Sequence, residues 1–504
     1  MGVIRRQGIK NSIVSFFGIA LGFISTIYIY PIDLEAKGLM DYLINLGTLF
    51  IPYAQLGVIS VYNKYFKKLQ LSIASFQLWV LRRILIQFSI FTVLFFILRI
   101  PLAQLLSKSG IDTLGLFLTY SYLIPILVLL ILIQTFLLTL CVTNRRTAIA
   151  ELIKNTVQKI YFPLIIILKF TLNFSENTFI FLIVFYYIIT IPLLIIYTKK
   201  NNFLRISFRN NEKSGYPVEL KKEIKTFNLF SLLNDISAQL CFKLDAIMVA
   251  SIVGFSATGI FSSMVFMANA ISIPSNSIMK ISNPIVAAYM SEKNYKAVAE
   301  LYKKVSITSL ITGIGMFMLV WFLLDEILSL TKFSEQLKVG KYVFLIMGAS
   351  KIIDMLTSIN SDILIYSKFY KYNLIFVTFL GIGNIFFNIL LIPKYGIEGA
   401  ALASLIVLGS YNIIKLVFLY KKLNMHPFSS NTVKLFLIGI INAAILYMIP
   451  ELSISNAYFL LITKAVMVSF ALFLFFILPI YQLKLSIDFN KLIDLGINKI
   501  KKLL

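Results

Sequence analysis

Charged and amide side chains interrupt otherwise apolar sequence at positions where chemistry in a membrane could take place. In LLNDISAQLCFKLDAIMVA, residues 232–250, the flanks are apolar enough for lipid, yet Asp235, Lys243 and Asp245 lie inside. A full charge in hydrocarbon is costly and is rarely left on a lipid-facing surface. These charges therefore indicate either internal ion pairs or a hydrated pathway.

The polar residues follow helical spacing, at about 100° per residue, and form three stripes. The stripes consist of Asn228, Ser231, Asp235 and Gln239, flanked by Lys243 and Asp245; of Lys351, Asp354, Ser358 and Asp362; and of Glu151, Asn155, Gln158 and Lys159. One interpretation is a set of ion pairs that hold helices in register, for example Asp235 with Lys351. The other is a hydrated cavity, which three stripes from both halves of the chain favour.

A cavity assigns a role to each kind of side chain. Lysines could attract a pyrophosphate or an acidic sugar as point charges, whereas a carboxylate in mid-membrane could bind a coupling Na⁺ or a proton. The candidate cavity or substrate-binding residues are Lys159, Asn228, Asp235, Gln239, Lys243, Lys351, Asp354 and Ser358. The candidate coupling-ion carboxylates are Asp235, Asp245, Asp354 and Asp362.

No catalytic residue, metal site or cofactor is predicted beside these, and the coupling ion is left open. A single histidine, His426, without clustered cysteines gives no transition-metal site. The chain has no G-x-x-x-x-G-K-[ST] loop and no predicted soluble domain to host catalysis, so we expect no enzyme.

The composition predicts the helices that carry these polar residues. Of the 504 residues, 59% are hydrophobic, against roughly 45–50% in soluble chains, and the mean hydropathy is +0.87. Apolar runs of about 20 residues, each long enough to span the bilayer as a helix, recur from end to end. The sequence therefore predicts an all-α polytopic membrane protein, in which a net charge of +25 reflects cytoplasmic loops rather than nucleic-acid binding.

Fourteen spans are predicted from these runs. They lie at about 11–30, 38–62, 78–98, 115–140, 148–170, 177–197, 226–250, 257–279, 305–325, 342–366, 371–392, 396–420, 431–449 and 456–480. Most of the 47 lysines and arginines then fall on the side that holds both termini, which the positive-inside rule places in the cytoplasm. We expect the stretch 282–304 and the tail 484–504 to be amphipathic helices on that surface.

An internal repeat organises the spans. Ala36-x-Gly38 and Ala257-x-Gly259 each open the second helix of a six-helix group, and the groups end alike in IIYTKK (195–200) and VFLYKK (417–422). Because six is even, the two groups are parallel repeats, as in alternating-access transporters. The predicted domains are an N-terminal bundle, a basic cytoplasmic linker, a C-terminal bundle, and spans 13 and 14 with the tail, at 1–200, 201–225, 226–425 and 426–504.

Three segments carry a family resemblance: IPKYGIEGAALASLIV (392–407), SNPIVAAYMSEKNYKAVAELYKKVS (282–306) and KLDAIMVASIVGFSATGIFSSM (243–264). With the arrangement of six, six and two helices, the chain resembles the Wzx-type branch of the multidrug/oligosaccharidyl-lipid/polysaccharide (MOP) exporter superfamily. The resemblance implies a MATE-like fold, with two bundles around a central cavity. It also implies ATP-independent flipping of an undecaprenyl-pyrophosphate-linked oligosaccharide, such as an O-antigen (lipopolysaccharide) or capsule repeat unit, between leaflets of a bacterial inner membrane.

The resemblance also implies partners and leaves rivals open. The partners are the lipid-linked oligosaccharide and the phospholipid membrane, with polymerase or assembly proteins left open and no nucleic acid. One rival is a multidrug/cation antiporter, which usually has twelve spans. Another is a lipid II flippase, whose cavity is reported to use arginines where this chain has lysines. The others are a non-transporting membrane subunit of glycan assembly and an unrelated fourteen-span facilitator.

Overall fold

The computed structural model describes residues 17–66, 73–107, 113–144, 146–205, 218–491 and 493–494. Within these ranges every regular element is a helix, which confirms the predicted all-α fold class. Three predicted features fall largely outside them: the basic N-terminus before residue 17, the linker at 206–217, and the tail from 495 onward.

The first half of the chain forms helices α1 to α9, with π-helical turns after α1 (Ser25–Ile29) and α7 (Leu152–Thr156). They are α1 (17–24), α2 (Leu34–Gln55), α3 (Val58–Tyr65), α4 (Ile73–Ser107), α5 (Thr113–Tyr120), α6 (Leu123–Thr143), α7 (Ala148–Glu151), α8 (Val157–Leu172) and α9 (Glu176–Lys200).

The second half forms helices α10 to α21, with a further π-helical turn at Phe473–Ile477 between the last two. They are α10 (Val218–Ile252), α11 (Phe255–Ala270), α12 (Ile273–Ser291), α13 (Tyr295–Phe322), α14 (Leu324–Ser329), α15 (Ser334–Lys338), α16 (Lys341–Thr357), α17 (Asn360–Tyr366), α18 (Tyr370–Leu423), α19 (Ser430–Tyr447), α20 (Ala457–Leu472) and α21 (Leu478–Gln482).

Each predicted span overlaps a helix, but several are broken. Seven helices of the described ranges are long and apolar enough to cross a membrane, or up to ten if each of three bent pairs is one span. The bent pairs are Phe17–Ile32 with α2, α11 with α12, and α16 with α17, at 120°, 54° and 45°. The predicted count of fourteen stays a prediction.

Helix α18 contains two predicted spans. It counts once among the seven, yet Gly396 inside it has φ 57° and ψ −132°, so two helices meet there at a kink. A Cβ atom on Gly399 would overlap the carbonyl of Leu391, which shows how closely the chain approaches itself at this kink. The predicted boundary between spans 11 and 12 therefore lies at the observed kink.

The stretch 282–304 is not a single surface helix, and that prediction is wrong. Helix α12 runs through it to Ser291, and the chain then turns at Lys293, which has φ 57°. Asn294 accepts a hydrogen bond from the amide of Ala297 at 3.1 Å and caps α13. The local capping signal thus ends the amphipathic pattern and joins its second half to the next long helix.

The chain forms two compact units. Unit 1 comprises Met1–Ser262 and Gly381–Ala400, and unit 2 comprises Ser263–Leu380 and Ala401–Leu504. Unit 1 has an apolar core in which stacked and tilted aromatic rings contact one another, as Tyr62 does with Phe76 and Phe136. These units follow contacts rather than chain order, so the predicted six-helix domains stay a prediction.

Candidate functional site

The stripe centred on Asp235 lies on α10 and faces the start of α3. Ser60 donates its hydroxyl to Asp235 Oδ2 at 3.4 Å. Next along the same face, Asn228 packs on Gly57, where a Cβ atom would lie 2.9 Å from Asn228 Oδ1. Gly57 has φ 78°, in the left-handed region that favours glycine, so the corner between α2 and α3 can approach the stripe closely.

The predicted lysines of unit 1 are half-buried and lie against different neighbours. Lys159 lies along α1, since a Cβ atom on Gly18 would be 3.2 Å from its Nζ. Lys243 is close enough to Asp41 and Lys154 for the first to attract and the second to repel its charge. Lys243 therefore lies in the field of Asp41, a residue that the sequence did not single out.

Asp41 is the centre of a polar cluster in unit 1. It forms an ion pair with Lys37 and accepts the hydroxyl of Ser262 on α11. Lys37 is only 7% exposed, and its Nζ lies 4.7 Å from the ring centre of Tyr30. Removing one partner of a buried ion pair costs about 3–5 kcal/mol, so the pair fixes Asp41 on α2. The hydrogen bond from Ser262 then links this carboxylate to α11.

The repeat motifs contact each other beside this cluster. A Cβ atom on Gly38 would overlap the carbonyl oxygen of Phe255, and one on Gly259 would overlap that of Leu34. The two Ala-x-Gly segments are therefore packed reciprocally, as in an interface with two-fold symmetry. Small residues allow the helix backbones to approach closely, so these glycines define the crossing of α2 and α11.

Asp245 lies in a buried amide network between α10 and α18. It is 7% exposed and accepts from Asn388 Nδ2 at 2.7 Å. Asn388 also donates to Asn384, whose own amide donates to the carbonyl of Cys241 at 2.9 Å. Among the described residues, no hydrogen bond reaches the buried Oδ1 of Asn388. Carboxylate, amide and carbonyl oxygens are the ligands of hard cations, so this network has the ligand chemistry of a hard-cation site.

The unit 2 stripe is divided by a helix break. Lys351 and Asp354 lie on α16, which ends at Thr357, whereas Asp362 lies on α17. Between the two helices Ser358 has φ 34°. Lys351, Ser358 and Asp362 are half-buried and Asp354 is exposed. The break therefore places the two carboxylates on different helices, one exposed and the other half-buried.

Lys415, which the sequence reading missed, lies beside this break. It is 1% exposed, and its Nζ donates to Asn360 Oδ1 at 2.8 Å and to Ser361 Oγ at 2.6 Å. The same Nζ lies 3.8 Å from the ring centre of Tyr411. A buried ammonium is costly unless it is paired and hydrogen-bonded. These contacts replace its hydration from both α17 and its own helix.

Amides and carboxylates complete this network. Asn412 Nδ2 donates to Asp354 Oδ1 at 3.3 Å, and Asn283 Nδ2 donates to Asp362 Oδ1 at 2.6 Å. Asn412 Oδ1 in turn accepts a hydrogen bond from Asn360 Nδ2 at 3.1 Å, and Asn360 accepts from the Lys415 ammonium. Hydrogen bonds therefore connect Asp354 on α16 to Lys415 on α18.

Three pairs of missed residues lie on α2 and α18. Lys37 and Asp41 are four residues apart on one helix face, as are Asn384 and Asn388, while Asn412 and Lys415 are three apart. Such pairs inside apolar sequence are the same signal that identified the three predicted stripes. The signal was therefore present, but each of these pairs is shorter than a stripe.

Comparisons with known proteins address the fold. No protein-family model and no curated protein matches the sequence. Among solved structures, the lipid II flippase MurJ in an inward-closed conformation is similar, with a TM-score of 0.69 and 16% identity, covering 94% of this chain and 99% of that chain.

Two multidrug transporters are also similar. An inward-facing MATE family transporter of the MOP superfamily has a TM-score of 0.57 and 14% identity, covering 86% of this chain and 95% of that chain. The MATE transporter DinF-BH in complex with R6G has a TM-score of 0.52 and 17% identity, covering 84% of this chain and 95% of that chain. At these identities the likeness shows the fold, which is the predicted MATE-like fold of a multi-pass membrane protein.

Proposed function

We propose that this chain is an ATP-independent flippase for an oligosaccharide linked to a lipid pyrophosphate. The observation that carries the proposal is the extent of the fold similarity. The lipid II flippase covers 94% of this chain, whereas the MATE transporters with comparable folds cover 84–86%. A fold that accounts for nearly the whole chain favours a lipid-linked cargo over a drug.

The polar clusters support a charged cargo. Unit 1 places the half-buried lysines Lys159 and Lys243 on helices that also carry amides and carboxylates. Lysine binds phosphate as a point charge and does not require the planar geometry of an arginine pair. The lysines in this chain therefore suit a pyrophosphate. The three stripes contain no arginine, the residue that lipid II flippases are reported to use.

Asp245 is our candidate for the coupling carboxylate. With Asn384 and Asn388 it offers oxygen ligands, including the Asn388 Oδ1 that accepts no hydrogen bond from the described residues. A Na⁺ ion bound there would neutralise the carboxylate and link α10 to α18. Asp235, which accepts a long hydrogen bond from Ser60 at 3.4 Å, is the candidate for proton binding.

The cellular setting belongs to the same proposal. We place the chain in a bacterial inner membrane, with both termini in the cytoplasm, moving its cargo from the inner to the outer leaflet by alternating access. Polysaccharide polymerase or assembly proteins would then receive the cargo on the outer side. The chain itself carries no catalytic step.

Reconstitution in liposomes tests this function. Purified full-length protein is inserted into vesicles that contain undecaprenyl-pyrophosphate-linked oligosaccharide, and an impermeant glycosidase reports the fraction of glycan on the outer leaflet. We expect the protected inner pool to become accessible only in vesicles with protein. Parallel vesicles carry lipid II or are assayed for uptake of the organic cation R6G.

The parallel cargos decide between the candidates. Movement of lipid II but not of other glycans would make the chain a lipid II flippase. Transport of R6G without movement of any lipid-linked glycan would overturn the proposal in favour of a multidrug antiporter. No movement of any cargo would favour a non-transporting subunit.

A further inference from the structure

Lys415 lies at one end of a chain of side-chain hydrogen bonds in unit 2. Its Nζ donates to Asn360 Oδ1 at 2.8 Å. Asn360 Nδ2 donates to Asn412 Oδ1 at 3.1 Å, and Asn412 Nδ2 donates to Asp354 Oδ1 at 3.3 Å. Two amides therefore connect the ammonium on α18 to a carboxylate on α16 through direct contacts, and these four side chains are called the relay below.

The two ends of the relay determine its direction. An ammonium has three donors and no acceptor, whereas an ionised carboxylate has acceptors only. Each amide between them has an acceptor oxygen and a donor nitrogen. The oxygen of Asn360 must therefore face Lys415, and its nitrogen must face Asn412. The oxygen of Asn412 accepts this donor, so its nitrogen is the part that faces Asp354.

Burial and a second donor hold the first amide in this orientation. Asn360 and Asn412 are buried, so a lost partner is not readily replaced by water. Ser361 accepts from Lys415 at 2.6 Å and donates its own hydroxyl to Asn360 Oδ1 at 3.3 Å. Turning this amide would set its nitrogen against two donors and leave buried groups unsatisfied, which is costly. Lys415 and Ser361 thus fix the orientation of Asn360.

Asp354, at the other end of the relay, is exposed although it lies within an apolar helix. A charged side chain in a membrane helix rarely faces lipid and usually faces the interior of the bundle or a water-filled cavity. The relay therefore links a buried ammonium to a carboxylate on a face that polar ligands can reach.

We propose that Lys415 is a positioning residue for Asp354. Its ammonium sets the direction of both amides, so that Asn412 always presents a donor to Asp354 Oδ1 and holds this carboxylate in one orientation. Under the proposed function, a carboxylate held in this way would accept hydrogen bonds from hydroxyl groups of the glycan. That consequence rests on the proposed function, whereas the positioning of Asp354 does not and is tested without transport.

Chemical labelling of carboxylates tests the positioning. Full-length protein in detergent is treated with a water-soluble carbodiimide and glycine ethyl ester, and mass spectrometry measures the labelling rate of each carboxylate. We expect Lys415→Met to raise the rate at Asp354 about threefold or more, because the amides can then turn and the hydrogen bond from Asn412 is lost. The rate at Asp362, which accepts from Asn283 on α12, should stay the same. A rise at both carboxylates would mean that Lys415 only packs the region, against the proposal.

A double variant separates the relay from a direct effect of the Lys415 charge. Asn412→Leu removes the last amide and should by itself raise the labelling rate of Asp354. If the relay carries the effect, adding Lys415→Met to Asn412→Leu changes this rate no further. A further rise would show that the ammonium acts on Asp354 without the amides and would overturn the proposal. Lys422→Met, which removes an exposed lysine from the same helix, is the matched control and should leave the rate unchanged.

Asn360→Ser covers a failure of Lys415→Met to fold. It interrupts the relay at its first amide and leaves both charged ends in place, so we expect the same rise in the labelling rate of Asp354. An unchanged rate in this variant would refute the positioning role of Lys415.

The consequence for the cargo is measured separately in the liposome assay. Asp354→Ala removes the acceptor and should raise the concentration of lipid-linked oligosaccharide that gives half-maximal flipping. If labelling supports the relay but Asp354→Ala leaves this concentration unchanged, the contact with the glycan is refuted and the positioning stands. Absence of flipping by the unmodified protein would instead refute the proposed function.

Discussion

Asp41 and Ser262 are hydrogen-bonded to each other, 221 residues apart, and occupy equivalent positions of the two repeat segments. The same offset relates Gly38 to Gly259 and Leu34 to Phe255, and the contacts are reciprocal, with Gly38 against Phe255 and Gly259 against Leu34. A residue that meets its own equivalent lies on a two-fold axis. The weak sequence repeat is therefore realised as a symmetric contact, with a carboxylate on one side of it and a hydroxyl on the other.

The first prediction concerns the glycine crossing. Gly38→Ala or Gly259→Ala places a methyl group against a carbonyl oxygen of the other segment, and overpacking of this kind costs about 1–3 kcal/mol. We expect a lower Tm for each variant. Gly409→Ala is the matched control, because its nearest neighbour is 4.0 Å away. An unchanged Tm for both crossing variants would contradict the close packing of α2 and α11.

The second prediction concerns the ion pair on α2. Asp41→Asn keeps a partner for Ser262 but leaves Lys37 buried without its carboxylate, at a cost of about 3–5 kcal/mol. The double variant Lys37→Met/Asp41→Asn removes both charges and is expected to recover most of the lost stability. The free energy of unfolding in the four-member cycle measures this coupling. If the double variant is as unstable as Asp41→Asn, the two charges do not compensate each other.

The third prediction concerns Asp235. Asp235→Asn is expected to reduce flipping to the level of empty liposomes without loss of expression. Asparagine keeps the shape of the side chain but loses the ionisable carboxylate that the proposed coupling requires. Ser60→Ala removes only the 3.4 Å hydrogen bond to this carboxylate and should retain transport. Undiminished flipping by Asp235→Asn would remove Asp235 from the mechanism.

The fourth prediction concerns sodium at Asp245. Asp245→Asn should abolish any difference between the transport rate in sodium chloride and that in choline chloride, since the network loses the carboxylate that would bind the cation. Asp33→Asn, which disrupts the ion pair between Asp33 and Lys169 at 3.0 Å, is the control. A sodium response that persists in Asp245→Asn would place the coupling ion elsewhere.

The fifth prediction concerns the attachment of α20. Lys464 forms an ion pair with Glu326, which is 9% exposed. Lys464→Met leaves this carboxylate uncompensated, so we expect a loss of about 3–5 kcal/mol. Glu326→Gln/Lys464→Met should be more stable than Lys464→Met alone. A chemical-denaturation series on the unmodified protein and these two variants checks the order.

The sequence predicted the helical fold well because apolar runs of bilayer length have few alternatives in a membrane. It did not predict where those runs bend. Gly57 and Ser358 adopt positive φ values. Serine rarely adopts such a conformation, so the residue type at 358 does not predict it. These bends depend on tertiary packing, which a single sequence does not display.

The candidate site was predicted in part. The stripes on α10 and α16 contain polar side chains that the structure places in networks, but the partners come from helices far along the chain. Asp245 meets Asn388, 143 residues away, and Asp362 meets Asn283, 79 residues away. Helical spacing identifies which residues share a face, whereas it cannot identify the helix that the face contacts.

The composition of unit 1 has a consequence for the biogenesis of the protein. Its last segment, Gly381–Ala400, includes Asn384 and Asn388, so unit 1 is incomplete until the ribosome has passed Ala400. Asp245 is synthesised long before Asn388, whose amide donates a hydrogen bond to its carboxylate. Because domains generally fold in order of synthesis, the nascent chain must hold this carboxylate without Asn388 while most of unit 2 enters the membrane.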